Sequence, residues 1–253
     1  MSNITIAFFA TIASIASSLI GSFSGGGSSF VLFPLLLMFI PATYASVLTL
    51  AKVSALAMSV VSGNIHFKRH KIHWNLFAVL TISGLLGTAI GTYLVQYHLN
   101  QTLFLHILGV ILICLSGYLF FSKELGVSSS RHEKIPNASL VLIAVFSFFI
   151  NILNGLFGGI GIIVSTFLII LLKINFIEAV VYSMSSFIVV NAFQTTYLLF
   201  SEKTTPLFII AIIIGSSIGA YIGTKLQYLK GNLWIKRASI LVMLIIGIKS
   251  IFS

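Results

Sequence analysis

Apolar residues follow one another along this chain in ten long runs that are separated by short polar segments. The runs cover residues 4–19, 30–40, 45–61, 76–95 and 103–121, and then 140–153, 160–172, 177–200, 207–228 and 233–252. About 20 apolar residues in a helix cross a bilayer. The pattern predicts an all-α integral membrane protein with eight to ten membrane segments, some of them broken or re-entrant. Its predicted parts are a first transmembrane half (1–121), a polar linker on the cytoplasmic side (122–136) and a second transmembrane half (137–253).

The composition supports a membrane protein, because 58% of the residues are apolar, only 7% are charged and the mean hydropathy is +1.13. A soluble domain carries roughly a quarter charged residues, since its surface faces water. The net charge of +10 is typical of basic cytoplasmic loops and does not indicate nucleic-acid binding. We therefore expect a multi-pass protein of the cytoplasmic membrane, with the lipid bilayer as its main partner.

The two halves resemble each other at an offset of 132 residues. Residues 26–27 fall on 158–159, residues 90–94 fall on 222–226, and Ser54 falls on Ser186. The offset predicts an internal repeat of about five helical segments. Such repeats are a common plan of transporters, which bind their substrate where the halves meet.

Basic residues predict that the two repeats are inverted. Lys68, Arg69 and Lys71 place the loop after the third segment in the cytoplasm, because cytoplasmic loops collect Lys and Arg. The equivalent loop of the second half, residues 201–205, then falls on the outside, whereas the basic segment 225–237 falls in the cytoplasm. Equivalent loops therefore face opposite sides of the membrane.

The glycine cluster of the first half predicts a helix break. Gly25, Gly26 and Gly27 each destabilise a helix by about 1 kcal/mol relative to alanine. A new helix near Ser28 would present free N–H groups and a positive dipole end, which favour an anion, and Ser24 would add a hydroxyl. The alternative is that the glycines only allow close helix packing. A P-loop is excluded, because no Gly-Lys-Ser/Thr follows them.

The second half contains a related but weaker break. Its residues are Asn154, Gly158 and Gly159, followed by Ile160. Two breaks at matching positions of two repeats indicate a binding site between them.

Lys52 is a charged residue inside an apolar run, which costs about 3 kcal/mol on insertion scales and usually marks function. On a helix it shares a polar stripe with Ser54, Ser59 and Ser62. The equivalent helix of the second half carries the stripe Ser183, Ser186, Asn191 and Gln194. Facing stripes would line a pathway in which Lys52 attracts the anion. The alternative is a lysine that snorkels to the membrane surface.

Few residues are candidates for proton coupling, and we single out Glu178 and His106. His66, His70 and His73 are expected in a solvated cytoplasmic loop without a metal. The sequence indicates no catalytic residue, no metal site and no cofactor. Cys114 is the single cysteine, so an internal disulfide is excluded.

Short motifs resemble those of one known family. Gly25-Gly26-Gly27 with Pro34-Leu35-Leu36, the segment 41–46 and the repeat at 158–161 are similar to the signature of the TauE/SafE family of sulfite-exporter-like transporters. The resemblance implies transport of sulfite, thiosulfate, sulfonates or organosulfur anions, coupled to a proton or sodium gradient. The second half departs from the motif, since Thr166 stands opposite Pro34 at the offset of 132.

The sequence therefore predicts a secondary transporter that moves a small sulfur-containing anion by alternating access. A passive anion channel and a membrane-embedded scaffold or enzyme partner are the alternatives. The oligomeric state, the direction of transport and the coupling ion stay open.

Overall fold

The computed structural model describes residues 2–40, 43–95, 101–128, 135–158, 160–202 and 204–252, and this part of the chain forms ten α-helices. In the first half they are α1 (Asn3–Ser24), α2 (Ser28–Phe39), α3 (Tyr44–Arg69), α4 (Trp74–Val95) and α5 (Gln101–Phe121). In the second half they are α6 (Asn137–Phe157), α7 (Gly161–Leu172), α8 (Phe176–Ser201), α9 (Pro206–Lys230) and α10 (Asn232–Ile251). The predicted all-α architecture of five helical segments per half is confirmed.

Six helices in the described part, namely α1, α3, α4, α6, α8 and α9, are long and apolar enough to cross a membrane. Large apolar side chains such as Phe121, Phe200 and Phe252 are exposed on the outside of the bundle. Ser17, Ser18 and many other hydroxyl side chains are buried inside it. Lipid solvates the apolar outer surface, and the polar groups find hydrogen-bond partners on neighbouring helices.

Helices of one half pack mainly on helices of the other half. A Cβ added at Gly219 would lie 2.2 Å from the carbonyl oxygen of Ile15, and one at Gly223 would lie 2.5 Å from that of Leu19, so α1 and α9 run parallel. In the same way, Gly87 faces Phe148 and Gly91 faces Ile152, so α4 and α6 run parallel. Close backbone approach at these glycines explains why small residues recur there.

Two pairs of equivalent helices, α3 with α8 and α5 with α10, run antiparallel to each other. On α3 and α8, Gly63 lies against Ile188 and Ser59 against Asn191, so residue numbers rise in opposite directions. Gly109 and Gly247 cross in a similar way on α5 and α10. Equivalent helices that run antiparallel are expected when a two-fold axis in the membrane plane relates the two halves. The same axis relates the parallel pair α1–α9 to the parallel pair α6–α4. The repeat is therefore inverted, as predicted.

The single offset of 132 residues is corrected by the structure. It holds for α3 and α8, which have 26 residues each and begin at positions 44 and 176. However, α2 and α7 have 12 residues each and begin at positions 28 and 161, an offset of 133. The breaks before α2 and α7 have three residues each, so the offset changes in the next connection, which has four residues (40–43) in the first half and three (173–175) in the second. At the offset of 133, Pro34 has Phe167 as its counterpart instead of Thr166.

The first two helices form a re-entrant hairpin. Ile6 on α1, Leu36 on α2 and Val47 on α3 belong to one buried apolar cluster, so α2 returns toward the end of the bundle where α1 begins. We call the other end, where α3 ends at Arg69, the basic end. Segment 122–128 lies there too, because Lys236 at the start of α10 donates to the carbonyl oxygens of Lys123 and Leu125 at 3.0 Å each.

Candidate functional site

Glycines produce the break between α1 and α2. Gly25, Gly26 and Gly27 have φ values of 88°, 139° and 94°, which side-chain-bearing residues rarely adopt. Gly158 ends α6 with φ 79°, so the second predicted break is present as well. Gly159 lies outside the described residues.

The two breaks touch each other in the middle of the bundle. A Cβ added at Gly26 would lie 2.5 Å from the amide nitrogen of Ile162 and 2.7 Å from the Cα of Gly161. Only hydrogen fits at Gly26, which is why the two backbones approach so closely. The hairpins α1–α2 and α6–α7 therefore meet tip to tip at the centre of the inverted repeat.

A small cavity lies beside this contact. It is lined by Gly26, Gly27, Ser28, Ala55, Met58, Ser59, Asn154, Ile160, Gly161, Met184, Phe187 and Asn191. The space open to the centre of a water molecule is about 20 Å³, enough for about one water. An oxyanion with several heavy atoms therefore needs the walls to move apart in order to bind.

The first turns of α2 and α7 both lie at this cavity. Their N-cap residues, Gly27 and Ile160, provide no side-chain hydrogen bond to the turn that follows. The Ser28 side chain is 1% exposed, and its hydroxyl has no hydrogen-bond partner in the part of the chain that the structure describes. Uncapped N–H groups, the positive ends of two helix dipoles and a free hydroxyl suit an anion.

Lys52 is completely buried and does not snorkel to the surface. Its Nζ donates to the backbone oxygen of Asn154 at 2.8 Å and to the Oδ1 of the same residue at 3.3 Å. Asn154 also lines the cavity. Lys52 therefore binds the C-terminal turn of α6 through one backbone carbonyl and one side-chain oxygen, and a positive charge there stabilises the negative end of the helix dipole.

Among the described residues, a single hydrogen bond joins the two predicted polar stripes. Asn191 donates to Ser59 at 3.0 Å, and these two residues are equivalent in the repeat. Ser54 and Ser62 face α9 instead, where they bond Ser216 at 2.7 Å and Thr224 at 2.8 Å. Those hydroxyls hold α3 to α9 and do not line a pathway between α3 and α8.

Several predicted site residues lie near the cavity without lining it. Ser24 donates to the carbonyl oxygens of Ile20 and Gly26, and Gly25 packs against Val180. Gln194 donates to the carbonyl oxygen of Gly155, and Ser186 donates to that of Ser183. Of the predicted residues, the lining includes Gly26, Gly27, Ser28, Ser59, Asn154 and Asn191.

The coupling candidates lie away from the cavity. Glu178 is in the first turn of α8 at the basic end, and His106 is exposed on α5. His66, expected in a solvated loop, is fully buried and bonds the Tyr228 hydroxyl through Nδ1 at 2.7 Å. The expectation was wrong because α3 extends to Arg69 and packs His66 against α9.

Helices α3 and α8 interact through polar groups near both ends of this helix pair. At the basic end, burial lowers the pKa of His70, the Glu178 carboxylate raises it and the Arg69 charge lowers it. At the opposite end, Ser46 donates to the Glu202 carboxylate at 3.3 Å. His70 and Glu202 are equivalent in the repeat, and so are Glu178 and Ser46.

Apolar residues of the cavity were missed from the sequence, namely Met58, Met184 and Phe187. In an apolar chain such residues do not stand out. One signal was available for Met184, because the offset of 132 makes it the counterpart of Lys52. Met184 lines the cavity, whereas its counterpart Lys52 is hydrogen-bonded to Asn154, one of the lining residues.

The family model described as "Sulfite exporter TauE/SafE" matches residues 9–250, nearly the whole chain. No curated protein and no solved structure gives a significant match. The match covers both hairpins, both long central helices and the cavity between them. With its apolar helices and inverted halves, the chain belongs to the sulfite exporter TauE/SafE family of membrane transporters.

Proposed function

We propose that this protein is a secondary transporter that moves a small sulfur-containing anion, such as sulfite, thiosulfate or a sulfonate, across the cytoplasmic membrane. One observation carries the proposal: the N-terminal turns of α2 and α7 converge on a cavity that contains the unpartnered Ser28 hydroxyl. Such an arrangement stabilises negative charge by backbone dipoles and donors. Membership of the sulfite exporter TauE/SafE family supports a sulfur-containing anion as the transported substrate.

Alternating access is the mechanism that we propose. The equivalent pairs His70–Glu178, which interact electrostatically, and Ser46–Glu202, which are hydrogen-bonded, lie at opposite ends of the α3–α8 pair. In an inverted repeat, each half can adopt the conformation of the other, so opening one contact exposes the cavity to one side. The small cavity, with room for about one water, fits an occluded conformation.

We further propose that the basic end faces the cytoplasm. Lys68, Arg69, Lys71, Lys230 and Arg237 lie in the loops and helix ends on that side, in agreement with the preference of cytoplasmic loops for Lys and Arg. No enzymatic step and no cofactor is part of the proposal.

Flux in liposomes tests the proposal. Purified protein is reconstituted, and exchange of labelled sulfite, thiosulfate and methanesulfonate is measured against chloride and acetate. We expect exchange of at least one sulfur anion well above that in protein-free liposomes. The same anion should raise the melting temperature of the protein in detergent, because a ligand that binds the folded state stabilises it.

Two outcomes would contradict the proposal. Absence of flux and of thermal stabilisation with all three sulfur anions would remove the assignment. Single-channel currents carried by the anion would show a passive channel instead of a carrier.

A further inference from the structure

The surroundings of Lys52 contain no counter-ion in the described part of the chain. Both hydrogen bonds of Nζ go to neutral oxygens of Asn154. The nearby groups Gly158 and Ser29 are neutral as well. A buried ammonium without an opposite charge is unfavourable, so the protonated form is held less well beside an empty cavity than beside a bound anion.

The central cavity is where that negative charge would arrive. Asn154 both lines the cavity and holds Lys52, so the two sites share a wall. None of the described residues that line the cavity is acidic, basic or otherwise titratable. An anion bound there would therefore have Lys52 as its charged neighbour, and each of the two would offset the charge of the other.

The other titratable groups of the surrounding helices lie away from Lys52 and the cavity. Helices α1, α2 and α6 carry none. On α8 they are Glu178, Tyr182 and Tyr197, and on α9 they are Tyr221, Lys225, Tyr228 and Lys230. In the described part of the chain, Asn154 alone is hydrogen-bonded to Lys52. Lys52 is thus placed to exchange a proton as the cavity fills and empties.

We infer that Lys52 is the proton-coupling residue, which takes up one proton when the anion enters the cavity and releases it when the anion leaves. The lone pair of Nζ forms an N–H bond with a proton from the water of the open side, and the same bond breaks on the other side. The anion and one proton cross together. This inference rests on the proposed transport function and assigns its coupling ion.

The repeat explains why one proton suffices. The counterpart of Lys52 is Met184, which lines the cavity but does not titrate. Only one of the two equivalent positions therefore carries a proton. The inverted halves are nearly symmetric in backbone, and this substitution makes their electrostatics unequal.

The test uses labelled thiosulfate, whose charge stays constant over the pH range of the assay, or methanesulfonate if thiosulfate is not exchanged. Downhill exchange without a pH gradient is measured first, because it reports the proposed function alone. An imposed pH gradient with a clamped membrane potential is then expected to drive accumulation in the wild type. A pH-sensitive dye in the lumen should record one proton per anion.

Lys52→Arg keeps the positive charge but abolishes proton exchange, because a guanidinium does not release its proton. We expect the variant to be stabilised by thiosulfate against heat, but to lose at least tenfold in accumulation driven by the pH gradient. Lys52→Met, which copies Met184, should also lose this accumulation. Accumulation by Lys52→Arg at the wild-type level would overturn the inference.

The dye measurement keeps the inference testable if both variants misfold. Thiosulfate exchange by the wild type without any accompanying proton would overturn it while leaving the transport function intact. Absence of exchange would instead remove the transport function.

Discussion

At the scale of single residues, the site depends on groups that are buried and only partly satisfied. The hydroxyls of Ser28 and Ser185 are both buried without a hydrogen-bond partner, but only Ser28 lines the cavity. A buried polar group without a partner costs about 1–3 kcal/mol. A ligand that accepts a hydrogen bond from Ser28 recovers part of this cost on binding.

Ser28→Ala should therefore weaken anion binding by about 5- to 10-fold, which corresponds to about 1 kcal/mol for one hydrogen bond. Binding is measured as the thiosulfate concentration that gives half of the maximal thermal stabilisation. Ser185→Ala is the matched control, because it removes an equally buried hydroxyl outside the lining. Equal effects of the two substitutions would show that the Ser28 hydroxyl does not contact the anion.

At the scale of the elements, the contact between the two hairpins requires bare backbone. Gly26 combines a φ of 139° with a space that a Cβ cannot enter. A side chain in the left-handed region costs about 1–2 kcal/mol before any clash is counted. The clash falls on the Ile162 amide nitrogen, which belongs to a helix and cannot rotate away as a side chain can.

Gly26→Ala should thus separate the hairpins and lower the melting temperature of the protein in detergent by several degrees. Gly117→Ala on α5 is the control, because a Cβ there would meet no atom within 4 Å. Gly117→Ala should leave the melting temperature unchanged or raise it slightly, since alanine is more favourable than glycine in a helix by about 1 kcal/mol. Equal melting temperatures of wild type and Gly26→Ala would contradict the close approach of the breaks.

At the scale of the whole molecule, alternating access requires that the two ends of the α3–α8 pair open in turn. Polar pairs occupy both ends in this structure: the Glu178 carboxylate acts electrostatically on His70 at the basic end, and Ser46 donates a hydrogen bond to Glu202 at the opposite end. A bridge across either end would hold that side closed. Each bridge alone should then stop a full transport cycle.

This is tested in a Cys114→Ser background with the pairs Ser46→Cys/Glu202→Cys and His70→Cys/Glu178→Cys. Bridging either pair with a short, reducible bifunctional thiol reagent should lower thiosulfate exchange at least tenfold, and reduction should restore it. The pair Ser2→Cys/Thr5→Cys is the control, because these hydroxyls lie 2.8 Å apart within one helix end. Full exchange with a bridged end would argue against rocking of the halves at these contacts.

The sequence by itself determined the membrane class, the ten helices, the inversion and the presence of two breaks. These properties follow from local signals, namely runs of apolar residues, glycines that weaken helices and basic loops. The distribution of Lys and Arg fixed the relative orientation of the halves, because charge in loops is independent of how the helices pack.

Only the tertiary structure decided which polar residues meet. Ser59 and Asn191 face each other, whereas Ser54 and Ser62 turn to α9, because the polar stripe on α3 is wider than its contact with α8. Lys52 reaches the end of α6, more than 100 positions away. Such pairings depend on crossing angles and on backbone approach at glycines, which no local pattern encodes, so the cavity emerged only when the two halves were placed together.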